Sequence, residues 1–410
     1  MKTSSYGTFS QGAITTAAQA HVPLSATIEV TRRCPLTCEH CYNNLPMGDQ
    51  QAKNTELTTE QYFGLLDEIA DAGTLWLLFT GGEIFARKDF LDIYRYAKGK
   101  GFLITLFTNG ILIDEEIADV LAEYRPFSIE ITLYGYTRES YEALTRKPGS
   151  HARCVKAVHL LLERKLPLKL KTVAVTRNRH EIQLMRKWAE ELGVPFKFDA
   201  LINPRIDCSS SPLAVRIQPE QVVEMDLADS ARVAAWRDYF ARSTAETEDP
   251  EKLYHCGAGV RSFAVDPYGN LEMCVLSTKE TLLLESGKFK EGWTSFLRAK
   301  RERKHTRETK CTKCGLKNIC GMCPANGELE SGDAEEPVAF LCEVAHLRAH
   351  AIGHPVRAHG PCEYCPGGAE HENLLAKVEK LGGAQPLKLA ACTPVTQPRA
   401  PRPLPVVQRT

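Results

Sequence analysis

Between residues 24 and 202 the sequence alternates six short apolar runs, rich in Val, Ile, Leu and Phe, with longer segments of helical period. This alternation predicts an α/β fold with a parallel sheet. Because no Gly-rich dinucleotide fingerprint accompanies the runs, we expect a curled sheet, a partial (β/α)6 TIM-like barrel, rather than a doubly wound nucleotide fold. The predicted strands lie around residues 26–30, 75–79, 103–107, 128–133, 169–175 and 196–201.

The remainder of the 410-residue chain divides by composition. Residues 1–23 are expected to be a flexible N-terminus, and the polar residues 203–253 a bridging region. A small cysteine-rich module is predicted over residues 254–345. Residues 346–410 form a C-terminal extension, which we expect to be largely disordered after about residue 370 because aromatic residues cease there and proline becomes frequent.

Charge gives no evidence for a polyanionic partner. The 51 basic and 51 acidic residues cancel, so we expect neither nucleic acid nor a membrane surface to be bound. No apolar run approaches the ~20 residues of a membrane-spanning helix, and the first residues lack the features of a signal peptide. These features predict a cytoplasmic location.

Fifteen cysteines then need an explanation, because a reducing cytosol does not sustain a disulfide framework. Metal ligation is the better interpretation, since ten of the fifteen fall into tight clusters. Cys154 and Cys208 stand alone and are predicted to be ordinary half-buried thiols.

The first cluster, in VTRRCPLTCEHCYNN, contains Cys34, Cys38 and Cys41. It follows the first predicted strand, at the edge of a parallel sheet where ligands bind. Three thiolates would leave one iron of a [4Fe–4S] cluster open to a small molecule. A zinc site with His40 as fourth ligand is the alternative. It is disfavoured because His40 lies directly between Glu39 and Cys41 in a short loop.

The segment CPLTCEHC resembles the signature of the radical S-adenosylmethionine (SAM) superfamily, in which an aromatic or similar ring, here His40, precedes the last cysteine. The segment FTGGE ends the second predicted strand about 40 residues later. Its Gly81, Gly82 and Glu83 resemble the family loop that binds the amino group of SAM, although a plain strand-to-helix turn would also use glycines. The resemblance implies a SAM-binding [4Fe–4S] cluster and reductive cleavage of SAM to a 5′-deoxyadenosyl radical.

Three further matches are weaker. TNG at 108–110 resembles the end of the family's third strand. Thr132 stands where many relatives have serine and is expected to place a hydroxyl near the SAM ribose, whereas Tyr134 replaces the usual acid. Arg146 matches an arginine that pairs with the SAM carboxylate, a role suited to its fork of donors. The alternative is a solvated arginine at a helix end.

The second cluster has a spacing that resembles the SPASM extension of radical SAM enzymes, which binds two auxiliary [4Fe–4S] clusters. Cys256 is followed by twelve residues, Gly269, four residues and Cys274, and CTKCGLKNICGMC and Cys342 come later. DPYGNLEMC within it predicts a hairpin turning at 268–270. The alternative is a zinc ribbon, which usually separates its cysteine pairs more widely.

The resemblance implies that the outer auxiliary cluster is held by Cys311, Cys314, Cys320 and Cys342. It implies that the inner one is held by Cys256, Cys274 and Cys323. The fourth inner ligand stays open. Some relatives have an extra cysteine just before the first one, whereas this chain has His255 there. Cys208 or an open iron would complete the site. Cys362 and Cys365 lie outside the pattern and could be a redox pair, supply a ligand, or be a mobile thiol pair.

SPASM-bearing relatives commonly modify peptides, so the resemblance implies oxidative modification of a ribosomally made peptide or protein. We expect a low-potential electron donor such as flavodoxin or ferredoxin. We also expect a separate peptide-recognition protein, since only ~23 residues precede the barrel. The alternatives are a small-molecule cofactor precursor such as a tetrapyrrole, or a non-catalytic iron–sulfur electron carrier. No catalytic acid or base is assigned, although Asp199 and Asn203 are expected to face the cavity.

Overall fold

The computed structural model describes residues 5–243, 251–317 and 319–382. These residues contain eleven strands. The strands are β1 Ser25–Glu29, β2 Arg33–Cys34, β3 Leu45–Pro46, β4 Trp76–Thr80, β5 Leu103–Thr108, β6 Ser128–Thr132, β7 Leu168–Val173, β8 Phe196–Asp199, β9 Ser262–Val265, β10 Asn270–Glu272 and β11 Leu282–Leu283.

Fifteen α-helical segments accompany them within the same described ranges, and a π-helical turn at Gly292–Leu297 joins α11 to α12. The helices are α1 Tyr6–Ala20, α2 Gln50–Thr55, α3 Thr59–Asp71, α4 Phe90–Gly99, α5 Glu115–Glu123, α6 Arg138–Thr145, α7 Ser150–Glu163, α8 Ile182–Glu191, α9 Pro219–Leu227, α10 Ser230–Ser243, α11 Phe289–Glu291, α12 Arg298–Arg301, α13 Pro324–Ser331, α14 Ala339–Ala351 and α15 His371–Lys380. None of the described helices combines the length and apolarity needed to cross a bilayer.

The six predicted strands are present as β1, β4, β5, β6, β7 and β8, which pair in that order and all in parallel. The α/β prediction is therefore confirmed. Helices cross between successive strands, so every carboxyl end of these six strands lies at one edge. The sheet is open, with β8 and β11 as its two edge strands.

The crossover helices form where the sequence supplies both a cap and an apolar face. In α3, Thr58 and Gln61 form a capping box. The buried side chains of this helix recur at helical spacing and are Tyr62, Leu65, Leu66 and Ile69. They join the main core beneath the sheet.

The hairpin predicted in the cysteine-rich module is present as β9 and β10, with Gly269 at φ +88° in its turn. Asp266 shapes the turn by accepting hydrogen bonds from the backbone of Tyr268 and Asn270, both at 2.9 Å. The hairpin does not stand apart from the barrel, because β9 pairs in parallel with β1 and so extends the main sheet.

The expectation of a flexible N-terminus is wrong for residues 6–20, which form α1. Ser5 caps the helix, accepting a hydrogen bond from Thr8. At the amino end of the barrel, Trp76 Nε1 donates to the Tyr6 hydroxyl at 3.0 Å. A ring of α1, Phe9, also lies against Trp76.

The bridging region and the C-terminal extension are more ordered than the sequence indicated. Helices α9 and α10 occupy much of 203–253, and α15 forms at 371–380. Val223 of α9, Leu347 of α14 and Leu374 of α15 are buried together in a small second core. The tail prediction otherwise falls on residues 383–410, which lie outside the described residues.

Candidate functional site

The three cysteines of the first cluster lie in the loop that follows β1. Cys34 is buried, and its sulfur accepts hydrogen bonds from Leu36 N at 3.4 Å and from Asn109 Nδ2 at 3.5 Å. Burial raises the pKa of the Cys38 thiol well above its usual value, and the neighbouring thiols of Cys41 and Cys34 raise it further. The three sulfurs are therefore near neighbours, and the N–H donors to Cys34 are of the kind that surround iron–sulfur clusters.

This loop is fixed from below by a buried carboxylate. Glu29, at the end of β1, accepts hydrogen bonds from Asn43 Nδ2 at 2.6 Å and from the Tyr42 hydroxyl at 3.2 Å. Arg33 binds Glu56 through two nitrogens at 2.9 Å each. Glu29, Arg33 and Glu56 are shielded from water, but each keeps hydrogen bonds to a protein partner. These hydrogen bonds hold the cysteine loop in place.

A second support comes from the bridging region and was missed by sequence reasoning. Arg205 donates to the Cys41 carbonyl at 3.2 Å and to the Asn44 carbonyl at 2.8 Å. The next residue, Ile206, donates its N–H to the Tyr42 carbonyl at 2.9 Å. No local pattern predicts such contacts, because they join segments about 160 residues apart.

The Gly81–Glu83 loop packs directly on the cysteine loop. A Cβ atom on Gly82 would lie 2.4 Å from the Arg32 carbonyl oxygen, and one on Gly81 would lie 2.1 Å from that of Thr31. Gly81 also has φ +140°. Only glycine therefore allows this backbone contact.

Glu83 connects the glycine loop to the TNG motif. Its carboxylate accepts hydrogen bonds from Thr108 Oγ1 at 2.7 Å and from Asn109 N at 2.8 Å. Burial raises its pKa to about 7, against the lowering effect of these hydrogen bonds. Since Asn109 also reaches the Cys34 sulfur, the cysteine, GGE and TNG segments form one hydrogen-bonded unit.

His40 and Tyr134 lie together beside the cysteines, with ring centroids 5.5 Å apart. Burial lowers the pKa of His40 to about 4, so the ring is neutral at physiological pH. Its Nδ1 is buried without a hydrogen-bond partner. Tyr134 is also close to the Cys38 sulfur, so the residue that departs from the family pattern packs against the thiols.

The other two expected SAM contacts, Thr132 and Arg146, lie at the ends of β6 and α6. Thr132 ends β6 and pairs in register with Lys171. Arg146 has an exposed side chain and donates to Glu39 at 3.0 Å, beside Arg177, which contacts the same carboxylate. Its role toward SAM stays a prediction.

One face of the sheet carries a charged group that sequence reasoning missed. Lys171 Nζ lies 2.7 Å from the centroid of the Phe107 ring and 3.5 Å from Glu130. Lys197 contacts the same glutamate at 2.8 Å. Burial lowers the pKa of Lys171 to about 7. By contrast, Asp199 is exposed and accepts a hydrogen bond from Leu201 N at 2.7 Å.

The second group of cysteines surrounds a cavity of about 500 Å³. Six cysteines line it: Cys256, Cys311, Cys314, Cys320, Cys323 and Cys342. Burial raises the pKa of Cys323 to about 12, with a further contribution from the nearby thiols of Cys274 and Cys256. Burial likewise raises the pKa of Cys314 to about 12, with Cys320 and Cys311 nearby. The thiols near Cys323 belong to the inner set and those near Cys314 to the outer set that the resemblance implied. The cysteine next to Cys342 is Cys362, so the assignment of Cys342 to the outer set stays a prediction.

Two residues near the inner set bear on its missing ligand. His255 lines the cavity, and its Nε2 is buried without a hydrogen-bond partner. Cys208 is exposed, has φ +67°, and contacts the Glu328 carbonyl at 3.8 Å. Of the two, only His255 presents a free ligand atom to the cavity. Cys154, the other isolated cysteine, is fully buried in α7.

Cys362 and Cys365 are buried, so the interpretation as a mobile thiol pair is wrong. They meet His346 of α14 and His359, with one ligand atom of each residue within 4.8 Å of every other. Sequence reasoning noted the two cysteines but not the histidines. The spacing H-x12-H-x2-C-x2-C was the available signal.

All fourteen cysteines in the described part of the chain are free thiols. Three neighbouring cysteines, with two N–H donors to the buried Cys34, fit a cluster with one open iron, and the cavity lined by six thiols fits further iron–sulfur groups. The donor sets are therefore compatible with the implied cofactors.

Comparisons with known proteins agree with this geometry. The family model described as the radical SAM superfamily matches residues 28–189. The PqqA peptide cyclase of Granulibacter bethesdensis is 30% identical over 42% of this chain and 45% of its own, so the chain spans under half of that relative. The antilisterial bacteriocin subtilosin biosynthesis protein AlbA of Bacillus subtilis is 25% identical over 75% of this chain and 68% of its own. The solved structure of Streptococcus suis SuiB bound to S-adenosylmethionine has a TM-score of 0.60 at 16% identity, covering 83% of this chain and 82% of its own; it shows the shared fold.

Proposed function

We propose that the protein is a radical SAM enzyme that oxidatively modifies a ribosomally made peptide or protein, with residues 28–189, which match the radical SAM superfamily model, as its catalytic part. The main support for this proposal is the arrangement of three segments of the chain. The three-cysteine loop, Gly81–Glu83 and the TNG segment are joined by hydrogen bonds at the carboxyl edge of an open parallel sheet. This edge is where α/β enzymes bind and transform ligands.

In this proposal Cys34, Cys38 and Cys41 hold the catalytic cluster. When bound, the cluster and SAM supply a carbon-centred radical that removes a hydrogen atom from substrate. The protein contributes a fixed and dry setting. Gly81 and Gly82 bring two backbone segments together, and Glu83 is buried behind them. His40 provides a neutral ring beside the thiols.

The auxiliary sets would hold two further clusters. We assign Cys256, Cys274 and Cys323 to the inner one, and Cys311, Cys314, Cys320 and Cys342 to the outer one. Loss of a hydrogen atom leaves an unpaired electron on the substrate. An oxidation needs that electron to be accepted, and these sites would accept it while a proton is released to solvent.

A peptide is the substrate we favour because the names of two relatives refer to peptide products: a PqqA peptide cyclase and a bacteriocin biosynthesis protein. A low-potential donor such as flavodoxin or ferredoxin would supply the reducing electron, and a separate recognition protein would present the peptide. We also propose a reducing, cytoplasmic location, where cysteines remain available as metal ligands.

The test is anaerobic reconstitution of the full chain with iron, sulfide, SAM and a reductant. We expect release of 5′-deoxyadenosine, and a loss of about 2 Da per new link in a precursor peptide encoded beside the gene. Cys38→Ala should abolish both results, whereas the matched control Cys154→Ala, a buried cysteine outside the clusters, should retain them.

Each outcome discriminates between functions. Release of 5′-deoxyadenosine with a tetrapyrrole, and no mass change in any peptide, would contradict the proposed substrate. Failure of SAM to alter the electron paramagnetic resonance spectrum of the reduced protein would contradict enzymatic use of SAM and favour an electron carrier.

A further inference from the structure

We propose that His346, His359, Cys362 and Cys365 form a structural zinc site that is distinct from the iron–sulfur cysteines. The inference does not depend on the proposed function. His346 lies in the middle of α14, and the other three residues lie in the segment between α14 and α15, which has neither helix nor strand. Three of them, His346, Cys362 and Cys365, are at most 5% exposed.

The distances between the ligand atoms fit one tetrahedral ion. Cys365 Sγ lies 3.3 Å from His346 Nε2, and it lies 3.1 Å from Nδ1 and 3.9 Å from Nε2 of His359. Cys362 Sγ lies 3.6 Å from His346 Nε2. Zinc bonds to sulfur and nitrogen place neighbouring tetrahedral ligands about 3.3–3.8 Å apart. All four ligand atoms also lie within 4.8 Å of one another, so a single ion can reach each of them.

The orientation of His346 supports ligation. Its Nδ1 lies 2.7 Å from the Cys342 carbonyl oxygen. A carbonyl only accepts hydrogen bonds, so Nδ1 carries the proton and Nε2 directs its lone pair at the two thiols. Metal-bound histidines commonly donate their other ring N–H to a backbone carbonyl, which fixes the ring for the metal.

The ligand set indicates zinc rather than an iron–sulfur group. Two thiols and two imidazoles are one of the usual combinations at closed structural zinc sites. The cluster in which histidine and cysteine ligands are mixed, the Rieske type, binds its histidines and cysteines on different irons. That arrangement would separate His359 from Cys365, whereas their ligand atoms lie 3.1 Å apart.

The ion would hold residues 354–370 against the outer cysteines. Lys310, which precedes Cys311, pairs with Glu363 at 2.5 Å. Cys342 contacts Cys362, and it lies one helical turn before His346 on α14. A closed four-ligand site at this position orders a segment that buries few apolar side chains of its own.

The experiment measures zinc and iron in the full chain after anaerobic purification. We expect one zinc per chain in addition to the cluster iron. His359→Ala and Cys365→Ser should each lose the zinc and keep the iron. His354→Gln is the matched control, because this histidine lies in the same segment but packs against Phe240, and it should keep both metals.

A further variant distinguishes loss of a zinc ligand from loss of the fold. His359→Cys supplies a third thiolate, so the protein should retain zinc. After exchange to cobalt(II), the absorption spectrum should show tetrahedral bands and more thiolate-to-metal charge transfer than the unaltered chain. Full-length protein that lacks zinc after growth with zinc would overturn the proposal. Loss of iron together with zinc in Cys365→Ser would also overturn it, because these residues would then serve a cluster.

Discussion

At the residue scale, the best-determined feature is the contact between the glycine loop and the backbone after β1. Gly82 donates to the Thr31 carbonyl at 2.7 Å, and Glu83 N donates to the Arg33 carbonyl at 3.1 Å. These hydrogen bonds bring two backbones closer than any side chain would permit. The glycines thus bring the cysteine loop and Glu83 together, whatever ligand binds above them.

Gly82→Ala should disrupt this contact. The new Cβ would lie 2.4 and 2.6 Å from the carbonyl oxygens of Arg32 and Arg33, and backbone atoms cannot move aside cheaply. We expect a loss of about 1–3 kcal/mol in the free energy of unfolding, measured by denaturant titration.

Gly64→Ala is the control, since nothing lies within 4 Å of its Cβ position inside α3. It should be neutral or stabilise the protein by up to about 1 kcal/mol. Equal effects at both positions would contradict the argument.

The partly buried Lys171 should make the free energy of unfolding depend on pH. Burial lowers its pKa to about 7, while the unfolded chain titrates near the usual 10.5, with Glu130 and Lys197 the charged groups facing it. Between these values the unfolded chain holds a proton that the folded chain does not. The free energy of unfolding should therefore rise with pH from 7 toward 10, by up to about 1.4 kcal/mol per unit.

Lys171→Met should remove this part of the pH dependence, as measured by denaturant titration at several pH values. Lys169→Met, on the same strand, controls for the loss of a positive charge. An unchanged slope in Lys171→Met would show that the ammonium is solvated rather than buried against Phe107.

His255 gives a prediction for the inner auxiliary site, where the sequence left the fourth ligand open. Its unpartnered Nε2 lines the cavity that holds Cys256 and Cys323. We expect His255→Ala to shift the electron paramagnetic resonance signal of one auxiliary cluster and leave the SAM-responsive signal intact. His354→Gln is again a suitable control. Spectra identical to those of the parent protein would exclude His255 and favour an open iron.

At the element scale, the sequence predicted the six barrel strands to within about two residues, because alternation of apolar runs and capped helices is a local signal. It did not predict α1, in which Tyr6 and Phe9 contact the rings of Phe127 and Trp76 from distant parts of the sequence. It also missed the pairing of β9 with β1, since residues 262–265 and 25–28 carry no mutual signal. The site cysteines and glycines could be predicted because each motif is a short run of sequence. Supporting residues such as Arg205 could not be predicted, because their role arises only from contacts in the folded chain.

The loop after β8 supports the cysteine loop through Arg205. Arg205→Met should remove the hydrogen bonds to the carbonyls of Cys41 and Asn44 without changing a thiol. We expect the protein to fold but to lose iron from the first cluster faster in air, followed by the decay of the SAM-responsive signal. Arg95→Met is the control, because this arginine forms an exposed pair with Asp92 in α4, outside the cysteine loop. Equal decay in both variants would show that Arg205 does not support the cluster loop.

At the scale of the whole molecule, the barrel and the cysteine-rich module share one sheet and several buried contacts. Asp226 of α9 binds Arg348 of α14 at 2.8 Å and Arg232 of α10 at 2.6 Å, and its side chain is 2% exposed. Arg348 also lies over the Trp236 ring, 4.0 Å from its centroid. The helices of the bridging region are thereby attached to the helix that carries Cys342 and His346.

Asp226→Ala should therefore destabilise the module as a unit. The substitution leaves two guanidinium groups beside an apolar pocket with no carboxylate, and breaking a buried pair in this way costs about 3–5 kcal/mol. Asp92→Ala removes an exposed pair with Arg95 and should cost at most about 1 kcal/mol. Both are measured by thermal unfolding of the cluster-loaded protein, followed in parallel by circular dichroism and by iron–sulfur absorbance. Since β9 and the Asp226 network join the two parts, both signals should fall together at a lower temperature in Asp226→Ala. Loss of cluster absorbance well before loss of helix would mean that the module unfolds independently of the barrel.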